Sequence, residues 1–403
     1  MNHLIDSCKK LSIEYTSKTE QKYLKQFGQF FTLDEMILNN LINTVDCINL
    51  DKSIDILEPS CGTGRIIIEC LEKYKNANID AIELDQNIFN KTLNLFSDNL
   101  NVKLYHADFL KYEFSKKYDI IIGNPPYFEL KNNIIDTQFK SIICGRTNIY
   151  SLFIHKSIQL LKDDGELYFI IPKTILSGKY FSKLRNYIHK NCSIIDIIKF
   201  SKNNLFTKAL QAVIILKLKK AKIPTDNYTI IINNNLYFVK DYSKLARSDT
   251  TTTIKQLKCI VKTGSIVWNK YKTSLVSIKT DNTLPLIMSS NIKNNILKFH
   301  LNNENEKKQH LIISESNKKS IQKGPYILIN RIIGDPPKIN LYFEKTQNNY
   351  FIENHVNIIK GPIDSLIRIY NSLLESSTTE FIQELIGNTQ LSQYELENII
   401  PIN

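Results

Sequence analysis

Along the first half of the chain, short unbroken apolar runs alternate with stretches whose apolar positions recur at helical spacing. Such runs suit strands buried on both faces, and the periodic stretches suit helices lying against them. The runs at 53–57, 78–82, 102–105, 118–122, 166–171 and 212–218 read as strands, and 66–73, 86–97 and 149–161 as helices. Asp85 stands where its carboxylate can cap the second of these helices. Pro172 has no backbone N–H to offer a ladder and should end the strand at 166–171. Residues 1–27 read as a helical lead-in. Strands and helices alternating at this spacing predict an α/β fold, a mainly parallel sheet covered on both faces.

Past Lys220 the rhythm stops. Lys219-Lys220, Pro224 and Asp226 mark a linker near 219–226. Short strands broken by polar Asn, Lys and Thr stretches follow, and helices return at 363–374, 379–386 and 393–399. The organisation expected is a lead-in over 1–27, an α/β domain over 28–220 and a mixed α+β domain over 221–403.

Composition narrows the picture. The 403 residues suffice for two or three domains with their own cores. With 42% hydrophobic and 23% charged residues the chain is of globular type. No apolar run reaches the roughly 18 residues of a membrane span, and the first residues lack the basic-then-apolar pattern of a signal peptide. An intracellular protein with no membrane partner is expected. Cys8, Cys47, Cys61, Cys70, Cys144, Cys192 and Cys259 stand singly, which predicts free thiols in a reduced compartment and no structural zinc. The net charge of +12 is uneven: residues 221–360 carry 21 Lys and Arg against 10 Asp and Glu, and 361–403 carry 1 against 6. A phosphate-contacting surface and ordinary solubilising charge both account for such an excess.

Candidate chemistry gathers at the ends of the predicted strands. Leu57-Glu58-Pro59-Ser60-Cys61-Gly62-Thr63-Gly64 follows the first one. Gly62 and Gly64 allow a sharp turn and close approach of a ligand to the backbone. The spacing is not the dinucleotide G-x-G-x-x-G pattern, and the Lys of a phosphate-binding loop is missing. Glu58 would repel a pyrophosphate, so an amino-acid ligand with an ammonium group suits it better. Glu83 ends the second strand, where acids bind ribose hydroxyls in α/β sheets. After the third strand, Asp108 can accept a hydrogen bond from an adenine amine while Phe109 packs on the ring. Each of these signals is weak alone, since Gly-rich turns also serve simply as connections.

The specific signal is Ile121-Ile122-Gly123-Asn124-Pro125-Pro126-Tyr127. Two prolines stiffen the turn and fix the direction of the carbonyl ahead of them. An Asn oxygen and that rigid carbonyl can together accept both hydrogens of a planar –NH2. Two acceptors favour the tetrahedral amine, whose lone pair is then free to attack, and Tyr127 offers an aromatic face to a base.

In this order the motifs resemble the gamma-order N6-adenine DNA methyltransferases of restriction–modification systems, the TaqI type. Phe27-Gly28-Gln29-Phe30-Phe31-Thr32 is similar to the family's N-terminal cofactor motif. Asn148-Ile149-Tyr150 through Phe153, Leu161 to Pro172 and Leu205-Phe206-Thr207 to Leu218 resemble its later segments. Val261-Lys262-Thr263-Gly264, Val267-Trp268 and the stretch from Gly387 to Pro401 resemble its target-recognition region. Leu33 stands where the family often has Pro, yet Thr32-Leu33-Asp34-Glu35 still reads as a capping box with Thr32 as the cap.

The resemblance implies a Rossmann-like methyltransferase sheet, a C-terminal target-recognition domain, S-adenosyl-L-methionine as cofactor and no metal. The implied substrate is an adenine in double-stranded DNA, which must flip out of the stack to be reached. Thr32 and Glu58 would hold the methionine end beside Cys61, Gly62 and Gly64. Glu83 would hold the ribose and Asp108 with Phe109 the adenine, with Leu84 and Phe153 as walls. Asn124 and the carbonyl of Pro125 would bind the target amine, Pro126 would stiffen the turn, and Tyr127 and Phe206 would sandwich the base. Transfer would be direct, driven by positioning and electrostatics. The cofactor motif begins close behind Met1, so no fused nuclease is expected; a cognate restriction endonuclease would be encoded separately. The enzyme would act as a monomer on DNA in the cytoplasm or nucleoid. Other enzymes that carry Asn-Pro-Pro-Tyr methylate RNA or protein amines, cytosine N4 methylases usually have Ser for the Asn, and a silent DNA-binding subunit would keep only the fold. The basic second half and the intact Glu58, Asp108, Asn124 and Tyr127 weigh against these.

Overall fold

The computed structural model describes residues 2–18, 32, 34–43, 53–131, 135–200, 212–221, 223, 225, 227–241, 252–277, 279–299, 308–334, 337–386 and 390–403. The chain divides into two compact units, Met1–Ile231 with Asn235–Lys240, and Ile232–Asn234 with Asp241–Asn403.

The first unit is built on a seven-stranded sheet. Its strands are β1 (Ile54–Glu58), β2 (Ala77–Glu83), β3 (Val102–His106), β4 (Tyr118–Gly123), β5 (Leu161–Pro172), β6 (Cys192–Lys199) and β7 (Val213–Lys220), in the order β3-β2-β1-β4-β5-β7-β6. From β3 to β5 neighbours run parallel, whereas β7 pairs antiparallel with β5 and with β6. The helices are α1 (Asn2–Lys18), α2 (Glu35–Ile42), α3 (Arg65–Lys73), α4 (Gln86–Leu95), α5 (Ile149–Leu160) and α6 (Ser182–Asn191). Strand side chains alternate between faces, so two cores form. Leu57, Ile121 and Phe169 join Ile154 of α5 and Leu184 of α6 on one face. Ile56, Ile120 and Ile170 join Ile37 of α2 and Ile67 of α3 on the other. All ten are essentially without solvent contact, and each such burial is worth roughly 1.5–3 kcal/mol. Because both faces are covered, the strands read as continuous apolar runs in the sequence.

The chain leaves β1 toward β2 and β3 on one side and returns to place β4 on the other. The carboxyl ends of β1 and β4 therefore flank the switch point of the sheet, where α/β folds bind ligands. The predicted elements match within a few residues. Asp85 caps α4 as expected, accepting from Asn87 N and Ile88 N, and Pro172 is the last paired residue of β5. Thr32 does not cap α2: the cap is Asp34, whose carboxylate accepts from Ile37 N at 3.1 Å.

The boundary between the units falls past the expected junction near 219–226. Lys219 and Lys220 still pair within β7. The hairpin β8 (Thr229–Ile232) and β9 (Asn235–Phe238) follows. Buried Arg185 of α6 donates from Nε to Leu236 O at 2.6 Å and packs over the Tyr237 ring, while Phe238 N donates to Leu176 O at 3.1 Å. These bonds tie the chain through Lys240 to the first unit.

The second unit contains an antiparallel sheet of β10 (Ile260–Thr263), β11 (Tyr326–Asn330), β12 (Leu341–Glu344) and β13 (Val356–Lys360), in the order β10-β13-β11-β12. Helices α7 (Ile363–Leu374), α8 (Ser376–Leu385) and α9 (Gln393–Asn398) pack Leu366, Ile382 and Leu396 with Ile327 and Ile329 of β11. Ser392 and Glu395 form a reciprocal capping box at α9. Shorter strands make a further five-stranded sheet, so this unit is of mixed α+β type. Among the described residues no helix is long and apolar enough to cross a membrane.

Candidate active site

The turn after β1 is fixed by backbone bonds and by one acid. Cys61 N donates to Ile82 O and Gly64 N to Cys61 O, both at 2.9 Å. Gly62 (φ 53°) and Gly64 (φ 83°) occupy the left-handed region, which glycine enters without cost. A Cβ on Gly64 would lie 2.4 Å from the Phe96 ring. Glu83, at the end of β2, accepts from Gly62 N at 2.9 Å through one oxygen and from Asp85 N at 2.7 Å through the other. Thr92 Oγ1 donates to Gly62 O at 2.8 Å.

Two carboxyls sit in poorly solvated positions here. Glu58 is buried, and its Oε2 has no hydrogen-bond partner among the described residues. Burial raises its pKa well above the ordinary carboxyl value, and the neighbouring Glu83 charge adds to the rise. Glu83 itself is pushed up to about 6 by burial, against the pull of its backbone donors. Buried acids of this kind suit a ligand that brings positive charge.

At the end of β4, Asn124 is held from three sides. Its Nδ2 donates to Thr32 Oγ1 at 3.0 Å, its Oδ1 accepts from the Tyr127 hydroxyl, and its backbone oxygen accepts from Ser60 Oγ at 3.2 Å. Thr32 spends its hydroxyl here, and Asp34 takes over the helix cap. The Tyr127 hydroxyl also lies 2.7 Å from Ile170 O, and its ring meets Tyr150 edge-on at 6.2 Å. Burial keeps this phenol protonated by raising its pKa far above the usual value. After β3, Asp108 accepts from Leu110 N at 3.0 Å, and Phe109 packs on Phe153 at 4.8 Å between centroids.

These turns enclose a recess of about 970 Å³, open solvent included. Of the expected residues, Thr32, Glu58, Cys61, Gly62, Glu83, Leu84, Asp108, Phe109, Asn124, Pro126 and Phe153 line it. Gly64, Pro125 and Tyr127 are not in its wall. The Tyr127 hydroxyl meets two oxygens, and the residue is half-buried. Phe128 stands in the wall instead; sequence reasoning missed it although it directly follows the motif. Ser60 was also passed over, because a hydroxyl in a Gly-rich turn gives no sign of the strand it will reach. Phe206 and Phe27 to Phe31 lie outside the described residues.

A family model described as Eco57I restriction-modification methylase matches residues 12–206. The modification methylase CviBIII of Paramecium bursaria Chlorella virus NC1A is 29% identical over 392 residues, covering 94% of this chain and 95% of its own. The Type II methyltransferase M.CvrRI of Paramecium bursaria Chlorella virus XZ-6E is 26% identical over 391 residues, covering 95% of this chain and 96% of its own. A solved class I S-adenosylmethionine-dependent methyltransferase from Listeria monocytogenes aligns at 21% identity and a TM-score of 0.47, over 55% of this chain and 68% of that one. Sheet order and matched model agree on an α/β methylase. The chain is similar to the methylases of restriction–modification systems, through the model over residues 12–206 and through the two viral methylases over nearly its whole length.

Proposed function

We propose that this enzyme methylates the N6 amine of an adenine flipped out of duplex DNA. The observation that carries this reading is Asn124 at the wall of the recess, its amide nitrogen engaged by Thr32 and its oxygen directed to an acceptor's work. A carboxamide whose nitrogen donates within the protein presents its oxygen as the acceptor that an amine hydrogen needs.

The residues around the recess fit S-adenosylmethionine. The buried, unpartnered Glu58 oxygen suits an ammonium group, and the left-handed glycines leave room for a ligand against the backbone. Thr32, Glu58, Cys61 and Gly62 would hold the amino-acid end, with Gly64 shaping the turn. Glu83 would accept from the ribose hydroxyls with its remaining lone pairs, and Asp108 would accept from the adenine amine. Phe109, Phe153 and Leu84 would supply apolar walls. When bound, the donor supplies a methyl group activated by its sulfonium. The protein's own contribution is to exclude water and to hold the target amine, through Asn124 and the Pro125 carbonyl, so that its lone pair is free. Tyr127 and Phe206 would sandwich the base, and Phe128 adds a further aromatic surface. Residues 221–403 would choose the DNA sequence, a division supported by the basic excess over 221–360.

The test is mass spectrometry of nucleosides after incubating the protein with duplex DNA and labelled donor. N6-methyladenine is expected, lost in Asn124→Ala while donor binding persists. N4-methylcytosine, or label carried only by RNA or protein, would overturn the reading. Activity should also fall with salt, at a slope of about −0.9 per neutralised phosphate.

A further inference from the structure

Helix α1 precedes the motifs that define the site, yet it reaches both turns of the recess from behind. Cys8 Sγ donates to Thr63 O at 3.0 Å. The hydroxyls of Ser12 and Thr63 share a hydrogen bond at 2.7 Å, and the Tyr15 hydroxyl donates to Asp85 Oδ2 at 2.8 Å. Positions 8, 12 and 15 share one helix face. Ser12, Thr63, Tyr15 and Asp85 are all buried, so these bonds form where water competes poorly.

What they hold matters for the site. Thr63 lies between Gly62 and Gly64, both at positive φ. Asp85 lies two residues beyond Glu83 and donates its backbone N–H to that carboxyl. A turn with two glycines has many conformations open to it, and a ligand that must select one of them binds more weakly. We propose that α1 is a positioning strap for the methyl-donor site, with Ser12 and Tyr15 fixing the Gly-rich turn and the β2–α4 turn in the shape the donor meets. The strap rests on the reading of the recess as the donor site, and it makes Ser12 and Tyr15 positioning residues without contact to the donor.

The experiment uses the full chain and S-adenosylhomocysteine as the probe in titration calorimetry. Ser12→Ala and Tyr15→Phe are measured singly and together, with Glu58→Gln as a reference inside the recess. Each strap variant should raise the probe's Kd roughly 3- to 10-fold, because the loosened turn must then be ordered on binding. KM for the donor should rise in step while kcat and duplex DNA affinity stay close to wild type. Ser12→Thr, which keeps the hydroxyl, should bind the probe more tightly than Ser12→Ala. A lowered melting temperature with unchanged Kd would show a merely structural helix and overturn the strap, as would no change at all. If Glu58→Gln weakens the probe and the strap variants do not, the strap alone fails. If Glu58→Gln leaves affinity unchanged, the donor-site reading fails and the strap with it.

Discussion

Asn124 and Thr32, separated by 92 positions in the chain, are joined by a 3.0 Å hydrogen bond from the carboxamide Nδ2 to the threonine hydroxyl. The bond decides which end of the amide faces Tyr127. Replacing Thr32 by Val keeps the shape and removes the acceptor, so one of the bonds that orient the carboxamide is lost. In the proposed mechanism kcat should fall about 10-fold, a loss of roughly 1.4 kcal/mol of transition-state stabilisation. Single-turnover methylation measures it, and an unchanged rate would detach Thr32 from the orientation of Asn124.

Glu58→Gln should separate stability from function. The folded-state pKa of Glu58 lies above its unfolded value. The stability its neutral form contributes is therefore complete below the unfolded value and is lost as pH rises through the raised one. Gln never ionises. Without ligand the variant should melt above wild type, by a margin that widens as pH rises out of the ordinary carboxyl range. Its affinity for S-adenosylhomocysteine should be lower. For wild type that affinity should strengthen over the same range, because an ammonium prefers the ionised carboxyl. Parallel melting curves at all pH values would contradict the assignment.

Gly64 tests the turn itself. Alanine there must accept φ 83° and place a Cβ 2.4 Å from the Phe96 ring. Strain of this kind costs about 1–3 kcal/mol. Gly64→Ala should lower stability in denaturant titration by that order and weaken donor binding. A neutral effect on both would mean that the turn relaxes freely.

The junction between the units gives a fourth prediction. A chain ending at Lys240 should fold and bind S-adenosylhomocysteine but lose specific DNA methylation. A chain ending at Lys220 should not fold stably. It takes from Arg185 the Leu236 carbonyl at 2.6 Å and the Tyr237 ring, and from the core Phe238. Breaking up the surroundings of a buried charge commonly costs about 3–5 kcal/mol. Equal melting temperatures for the two chains would refute it.

By itself the sequence determined the parallel sheet and the order of its motifs. Strands buried on both faces must be written as unbroken apolar runs, and caps such as Asp85 depend on residues a few positions away. Gly62, Gly64 and Asn124-Pro125-Pro126 were legible for the same reason, since their chemistry follows from local backbone geometry. Only the tertiary structure decided what depends on distant partners. The Thr32 hydroxyl serves Asn124 and leaves the cap to Asp34. The Tyr127 hydroxyl meets Ile170 O, on a neighbouring strand, and Phe128 stands at the wall. The first unit runs on to Lys240 because Arg185, on a helix, needs the carbonyl of Leu236. Helix α1 bears no motif, and its bearing on the recess comes only from Thr63 and Asp85, which folding brings beneath Ser12 and Tyr15. A hydrogen bond between residues far apart in the chain leaves no period and no spacing to read; it exists only once the sheet has set both ends in place.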